Sequence, residues 1–536
     1  MKPSLALPQL GLSPRTGTAV ALLLGLVPAS GAPQDARRAA QVSVFSAGEG
    51  RAVSDGLLAD LDGDGAEDLL LSLSRDGGGR ELALFRARKD PKLPRFAGPA
   101  DVSIELTLDV VAFAAGELDG TSAGAEVVLF SARGAFLCRA LAPAEKRYGK
   151  LVECDLLWQL ADLQECSAYP AGLEDLDRDG RLDVVLPESG GYAVALAAGG
   201  FSRVQRLRVP QEPPEVSSGG IRAAAVDKGG GRTASFEISF GSTEGRRRTL
   251  VSVEEEVPAP QLADFDGDGR LDLQAQGERT LWIWLQAADG SFPGAPSRAF
   301  PLPVPADRTR RLDASYSAHV VDADRDGKSD VVILAGDKRS EDVRTQLLLF
   351  LQGKGRGEAA KTASAPLFGP KNLPQQLLVL GGFGLGSYFE DVDGDGRPEF
   401  FVRSVRPDLI DQLRTASSES VDADVLVYRN ENGELSRKPV LSWRVPIPIR
   451  DFDLTLRLVG DLDGDRMADL AVRSEPERLR FLAIRRAKEG WTLDPKPLYE
   501  TSIHEDAEIL LLRRGDRASR DVAVLEKNQI MVIRFP

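Results

Sequence analysis

The sequence predicts an all-β fold, a β-propeller built of four-stranded blades. An acidic block recurs along the chain, each copy is followed by a β-type run, and the two chain ends carry strands that complement one another.

The block reads D-x-D-x-D-G-x-x-[DE] and occurs six times, the sixth with Arg466 in place of the glycine. In the first copy Asp60, Asp62, Asp64 and Asp68 occupy positions one, three, five and nine, with Ala66 at position seven. The second has Asp175, Asp177, Asp179 and Asp183 with Arg181, and the third has Asp264, Asp266, Asp268 and Asp272 with Arg270. The fourth has Asp322, Asp324, Asp326 and Asp330 with Lys328, and the fifth has Asp391, Asp393, Asp395 and Glu399 with Arg397. The sixth has Asp461, Asp463, Asp465 and Asp469 with Met467. Two weaker echoes, at 116–130 and 514–525, keep the same rhythm of roughly 55 to 90 residues, enough for a four-stranded blade plus insertions.

Behind each block stands a short run such as Asp68-Leu69-Leu70-Leu71 or Asp330-Val331-Val332-Ile333-Leu334, and further apolar runs follow, as at 81–85 and 280–285. The unit is therefore strand, acidic loop, strand, hairpin, strand, strand. So small a sheet cannot bury both faces alone, and stacking blades around an axis solves that. The last echo supplies strands at 508–512, 522–525 and 529–535, one short of a blade, and 41–45 can provide the missing outer strand. Counting both echoes gives eight blades, or seven if one echo is only a loop.

The loops are candidate calcium sites. Carboxylates at positions one, three, five and nine, with the main-chain carbonyl of position seven, make an all-oxygen donor set that suits Ca²⁺ better than zinc or copper. Four carboxylates crowded together would repel one another without a cation. Gly65, Gly180, Gly269, Gly327 and Gly396 at position six permit the positive φ of a tight turn, and Arg466 in the sixth loop should cost about 1 kcal/mol there. An EF-hand loop would need Glu at position twelve, where this chain has Leu71, Leu186, Ala275, Ile333, Val402 and Val472. Asx-turns without metal would not require acids at four fixed positions. In the echoes, Glu117, Asp119 and Glu126 are spread one residue too far, and Asp516 with Asp521 lacks the intervening acids, so both are expected to shape turns without metal.

Composition sets further bounds. A chain of 536 residues with 42% hydrophobic content can bury a large core, and a formal charge of -14 excludes a nucleic-acid surface built on clustered Lys and Arg. Six calcium ions would offset most of that charge. The apolar run at 18–27, followed by small residues to Ala32, predicts a signal peptide over 1–31 and a linker at 32–40. The mature chain, with no second long apolar run, is expected to be a monomeric propeller over 41–536, secreted, periplasmic or on the cell surface. Cys154 and Cys166 can pair in an oxidising compartment, or all three cysteines, with Cys138, can be buried thiols.

In these residues the chain resembles the FG-GAP and VCBS repeat proteins, whose blade also forms the integrin α-subunit head. The resemblance spans 41–536. The phenylalanine-glycine and glycine-alanine-proline signatures are poorly kept, although Gly382-Phe383-Gly384 lies near one loop, which places the chain nearer the bacterial VCBS type. The resemblance implies a calcium-stabilised extracellular propeller with its ligands in the six blocks, and it implies no single activity.

Function is expected where the chain departs from its repeat: insertions near 210–260, 353–376 and 406–424, the last containing a helix-like segment at 407–413. The sequence has no HExxH, P-loop or cysteine-histidine pair, which favours a non-enzymatic binding or adhesion scaffold for a protein or glycan partner. The alternative is a polysaccharide lyase or hydrolase using carboxylates on the propeller face. Only His319 and His504 are available as imidazoles, and His319, on a strand before Asp322, reads as structural. Trp282, Trp284 and Trp491 could stack sugars, although strand aromatics more often pack between blades.

Overall fold

The computed structural model describes residues 40–535 except 91, 121–123, 157, 159–165, 211–231, 240–249, 278, 303–313, 338–343, 353–372, 406–419, 449–455, 476, 506, 515–516 and 527–528. The chain divides into two units, 1–37 and 38–536, and all described residues lie in the second. The expected signal peptide, most of the three insertions and the segment 407–413 lie outside the described residues.

The second unit is an eight-bladed β-propeller with almost no helix. Blades 1 to 7 cover 51–106, 110–168, 173–208, 260–301, 314–381, 383–448 and 456–502. In each, consecutive strands pair antiparallel in chain order, so the first strand is the inner edge and the last the outer. First strands of neighbouring blades meet, as do those of blades 1 and 2 and of blades 1 and 8. Blade 2 adds Ser167–Ala168, which pairs parallel to Val110–Gly116. Blade 7 carries an extra hairpin, Ile484–Arg486 with Trp491–Leu493, before its outer strand Tyr499–Ser502. Within the first insertion, Arg232–Ser239 and Leu250–Val257 form a two-stranded hairpin.

Blade 8 takes three strands from the C-terminal end, Glu508–Arg514, Arg517–Glu526 and Gln529–Arg534, and its fourth from the other end. Gln41–Ser46 pairs antiparallel with Gln529–Arg534 in an unbroken register from Gln41↔Arg534 to Ser46↔Gln529. The expected count of eight and the expected closure are both present.

The core is distributed rather than central. Eight clusters of buried apolar side chains each sit between two neighbouring blades, including one between blades 8 and 1 built on Phe45, Leu69, Phe85, Ala523 and Val532. That arrangement explains the strand sequences. Middle strands are covered on both faces and read as continuous apolar runs: Gly191–Ala195 is buried throughout. Outer strands alternate, as in Gln376–Gly381, because one face remains in water.

Trp282 and Trp284 belong to the cluster between blades 3 and 4, and Trp284 is fully buried, so neither is a sugar platform. Cys138, Cys154 and Cys166 are all free and buried; of the two open arrangements, the three-thiol one is present. Burial pushes their thiols up to about 11 for Cys138 and about 12 for the other two, so they are inert at neutral pH.

Candidate metal centres

Each acidic block forms the loop between the first and second strands of its blade, and its carboxylates first organise the loop's own backbone. The position-one carboxylate accepts the position-six N–H, at 2.8 Å for Asp60 and Gly65, 2.8 Å for Asp391 and Gly396, and 3.0 Å for Asp461 and Arg466. The position-five carboxylate accepts the position-seven N–H in all six loops, from Ala66, Arg181, Arg270, Lys328, Arg397 and Met467. Position six is left-handed throughout, with φ from 79° at Gly396 to 87° at Gly269, and Arg466 takes the same conformation at 71°. Position four is left-handed too, and four loops have glycine there. Arg178 and Arg325 hold that position at 60°.

Position nine opens the second strand, or in the sixth loop immediately precedes it, and is buried. Its carboxylate accepts the N–H of position two in every loop, from Leu61 to Asp68 at 3.2 Å through Leu462 to Asp469 at 2.8 Å. In the first four loops the second oxygen accepts an N–H beyond the third strand, from Ala87, Ala197, Gln286 and Gln352. In blades 6 and 7 the second oxygen, Glu399 Oε1 or Asp469 Oδ1, is buried with no hydrogen-bond partner among the described residues. Burial raises all six carboxyls, to about 6 for Asp183 and Asp272 and about 7 for Asp330, Glu399 and Asp469.

Positions one, three and nine converge. In Asp60-Asp62-Asp68, Asp175-Asp177-Asp183, Asp264-Asp266-Asp272 and Asp322-Asp324-Asp330, one oxygen from each residue lies within 4.8 Å of the others. Position five is not part of these sets. Instead Asp64 pairs with Lys89 at 3.0 Å, Asp179 with Arg181, Asp268 with Arg270, and Asp463 and Asp465 together with Arg485. In the first three loops the convergent set is thus three carboxylates, with the position-five carboxylate turned to a base. Glu117, Asp119 and Glu126 also converge within 4.8 Å, and Glu126 accepts the Leu118 N–H at 3.0 Å as position nine does elsewhere. The expectation that one extra residue would spread these acids apart does not hold: the loop turns through left-handed Gly120 and Gly124 and brings them back. Asp516 lies outside the described residues.

Adjacent loops are joined directly. The residue before position nine donates its N–H to the preceding blade's loop: Ala125 to Asp60 at 2.7 Å, Leu182 to Glu117 at 2.8 Å, Ser329 to Asp264 at 3.1 Å, and Ala468 to Val392 at 2.7 Å. Two buried amides repeat a second link. Gln352 Nε2 donates to the Phe265 and Ser329 carbonyls at 2.7 and 2.9 Å, and Asn430 Nδ2 to the Ala323 and Pro398 carbonyls at 2.8 and 3.1 Å.

Residues 264–333 match the family model described as the FG-GAP-like repeat. The chain carries an FG-GAP-like repeat. The matched segment starts on the first aspartate of the blade 4 loop and ends in the second strand of blade 5, so it runs from one acidic loop through the next. A search among curated proteins finds no match. Among solved structures, the propeller is similar to an Agrocybe aegerita protein recognising non-reducing terminal N-acetylglucosamine, at 16% identity and TM-score 0.37, over 92% of this chain and 98% of that one. It is similar to Sqt1 from Chaetomium thermophilum at 10% identity and TM-score 0.41, over 93% and 100%. A Bacillus licheniformis rhamnogalacturonan lyase follows at 14% identity and TM-score 0.30, over 90% and 72%.

His319 lies on the inner strand of blade 5, with Nε2 2.9 Å from Ser387 Oγ on the inner strand of blade 6 and its ring edge-on to Phe389. Burial holds its pKa down at about 4, so it is neutral at pH 7 and ties two blades together.

Proposed function

We propose that the chain is an exported calcium-binding propeller that serves as a non-enzymatic scaffold for a protein or glycan partner. The observation that carries the metal reading is the repeated convergence of carboxylates at positions one, three and nine, with a buried oxygen orphaned at Glu399 and at Asp469. An oxygen donor set, buried acids shifted upward and unpaired carboxylate oxygens together fit a hard divalent cation. Calcium would be held by these residues, with the position-five carboxylate and position-seven carbonyl completing each set, and would supply the charge that lets clustered carboxylates stay ionised. Up to six ions would staple the first two strands of blades 1 and 3 to 7. No helix among the described residues is long and apolar enough to cross a membrane, and the N-terminal apolar run supports export.

The structural position of His319 supports the scaffold over the lyase or hydrolase alternative, since its imidazole is engaged with Ser387 and Phe389 rather than presented to a substrate. The test is binding to protein and glycan arrays with and without EGTA, with the reaction mixtures assayed for new reducing or unsaturated ends. Calcium-dependent binding without turnover is expected, whereas product formation on any polysaccharide would overturn the scaffold reading. Metal-stripped protein that takes up no calcium would sink the metal assignment.

A further inference from the structure

The extra hairpin of blade 7 is a break in the repeat that builds a groove. Its second strand docks on the neighbouring blade, where the Trp491 N–H donates to the Val440 carbonyl at 2.7 Å. Between the hairpin and the outer strand of blade 6 lies a cleft of about 490 Å³, whose lining includes Trp443, Trp491, Arg480, Asp494 and Glu500 beside leucines and prolines. Two of the five tryptophans of the chain meet here. Trp491 anchors the floor, 9% exposed in the cluster between blades 6 and 7, and Trp443 packs its inner side on that cluster while remaining partly open.

We propose that this groove binds a neutral saccharide. The inference rests on the scaffold reading and gives it a site. A sugar ring presents an apolar C–H face and a rim of hydroxyls, and the groove presents the matching pair. Indole supplies a large flat apolar surface at little entropic cost, and a few fixed polar groups set orientation. Arg480 pairs with Glu475 at 3.0 Å and Glu500 at 3.4 Å, and Glu500 also meets Arg478 at 3.2 Å, so donors and acceptors line one wall. The Asp494 N–H is tied to the Ala483 carbonyl at 2.8 Å and its side chain accepts the Lys496 N–H at 3.0 Å, which fixes the opposite lip. One guanidinium against two carboxylates gives the lining a net negative balance. That balance disfavours phosphate, nucleic acid and uronate chains and leaves uncharged hydroxyl-rich ligands. The volume accommodates a mono- or disaccharide unit.

The experiment is calorimetric and tryptophan-fluorescence titration of the full chain, in calcium, with neutral gluco-, manno-, xylo- and N-acetylglucosamine oligosaccharides, and with oligogalacturonate as the charged control. At least one neutral series is expected to bind saturably, with Trp443→Ala and Arg480→Ala each weakening it tenfold or more and oligogalacturonate binding no better than in those variants. Arg480→Ala and Asp494→Asn change only the groove wall, so they remain informative if Trp443→Ala unfolds, which circular dichroism reports. Saturable binding untouched by all three substitutions would overturn the groove assignment and leave the scaffold reading standing with its site elsewhere. If none of the neutral series binds, the saccharide assignment falls, and the scaffold reading is then decided by the protein arrays.

Discussion

The ring of Phe45 lies 4.9 Å, centroid to centroid, from the ring of Phe85, which joins the N-terminal strand of blade 8 to the third strand of blade 1. The Phe96 ring lies 6.5 Å from that of Phe45. The closing strand therefore completes a sheet and fills the cluster between the first and last blades. Phe45→Ala should cost about 3 kcal/mol, as buried aromatic truncations do. Val44, on the same strand but 48% exposed, is the control: Val44→Ala should stay within about 0.5 kcal/mol. Urea unfolding of the two variants checks this, and equal effects would deny the closing strand its packing role.

Calcium should raise the melting temperature of chelator-stripped protein, because a ligand bound only by the folded state stabilises it by mass action. Asp264→Ala should lower bound calcium by one ion per chain, read by elemental analysis after equilibrium dialysis.

The Gln352 amide bridges the loops of blades 4 and 5, so their metal sites should be coupled. Gln352→Ala leaves both loops' carboxylates intact yet removes two buried hydrogen bonds, at about 1 kcal/mol each. The expected outcome is weaker calcium binding at two sites rather than one, measured by calorimetric titration of the variant against Asp264→Ala and Asp322→Ala. Affinity loss confined to one loop would show that the bridge carries no coupling.

Arg466 occupies a left-handed position that glycine fills in the other five loops. Its N–H already makes the required bond to Asp461, so Arg466→Gly keeps the turn and removes the strain. The variant should be more stable by about 1 kcal/mol, visible in denaturant unfolding.

Burial holds the His319 pKa at about 4 against the ordinary 6.5. Above pH 6.5 the ring is neutral in folded and unfolded chains and stability does not depend on it. As pH falls from 6.5 towards 4 the unfolded chain takes up a proton that the folded one refuses, so stability is lost, by about 2 kcal/mol at pH 5. Below about 4 both states are protonated and the loss levels off. His319→Gln should lack this component of the acid limb, seen as the variant gaining on the parent protein between pH 7 and pH 5.

Much of the propeller is legible in the residues themselves. Six blocks at a steady rhythm fixed the blade as the unit, and the strands at 41–45 and 529–535 showed how the ring closes, because a free blade edge requires a partner. The candidate ligands were legible for the same reason: spacing along one loop is local, and chemistry at fixed offsets within nine residues does not depend on the rest of the fold.

Other features depend on residues far apart in the chain. The position-five carboxylates turn to bases such as Lys89 and Arg485, which lie 25 and 20 residues away and reach the loop only because the third strand returns beside it. The convergence of Glu117, Asp119 and Glu126 depends on a backbone path through left-handed glycines that spacing does not encode. The Gln352 and Asn430 links, the burial of Trp282 and Trp284, and the groove beside Trp443 arise where one blade meets the next. By itself the sequence determined the repeating unit and the metal chemistry within each loop, since both follow from local offsets. The tertiary structure alone decided what lies between blades, because those contacts join segments whose separation no local pattern constrains.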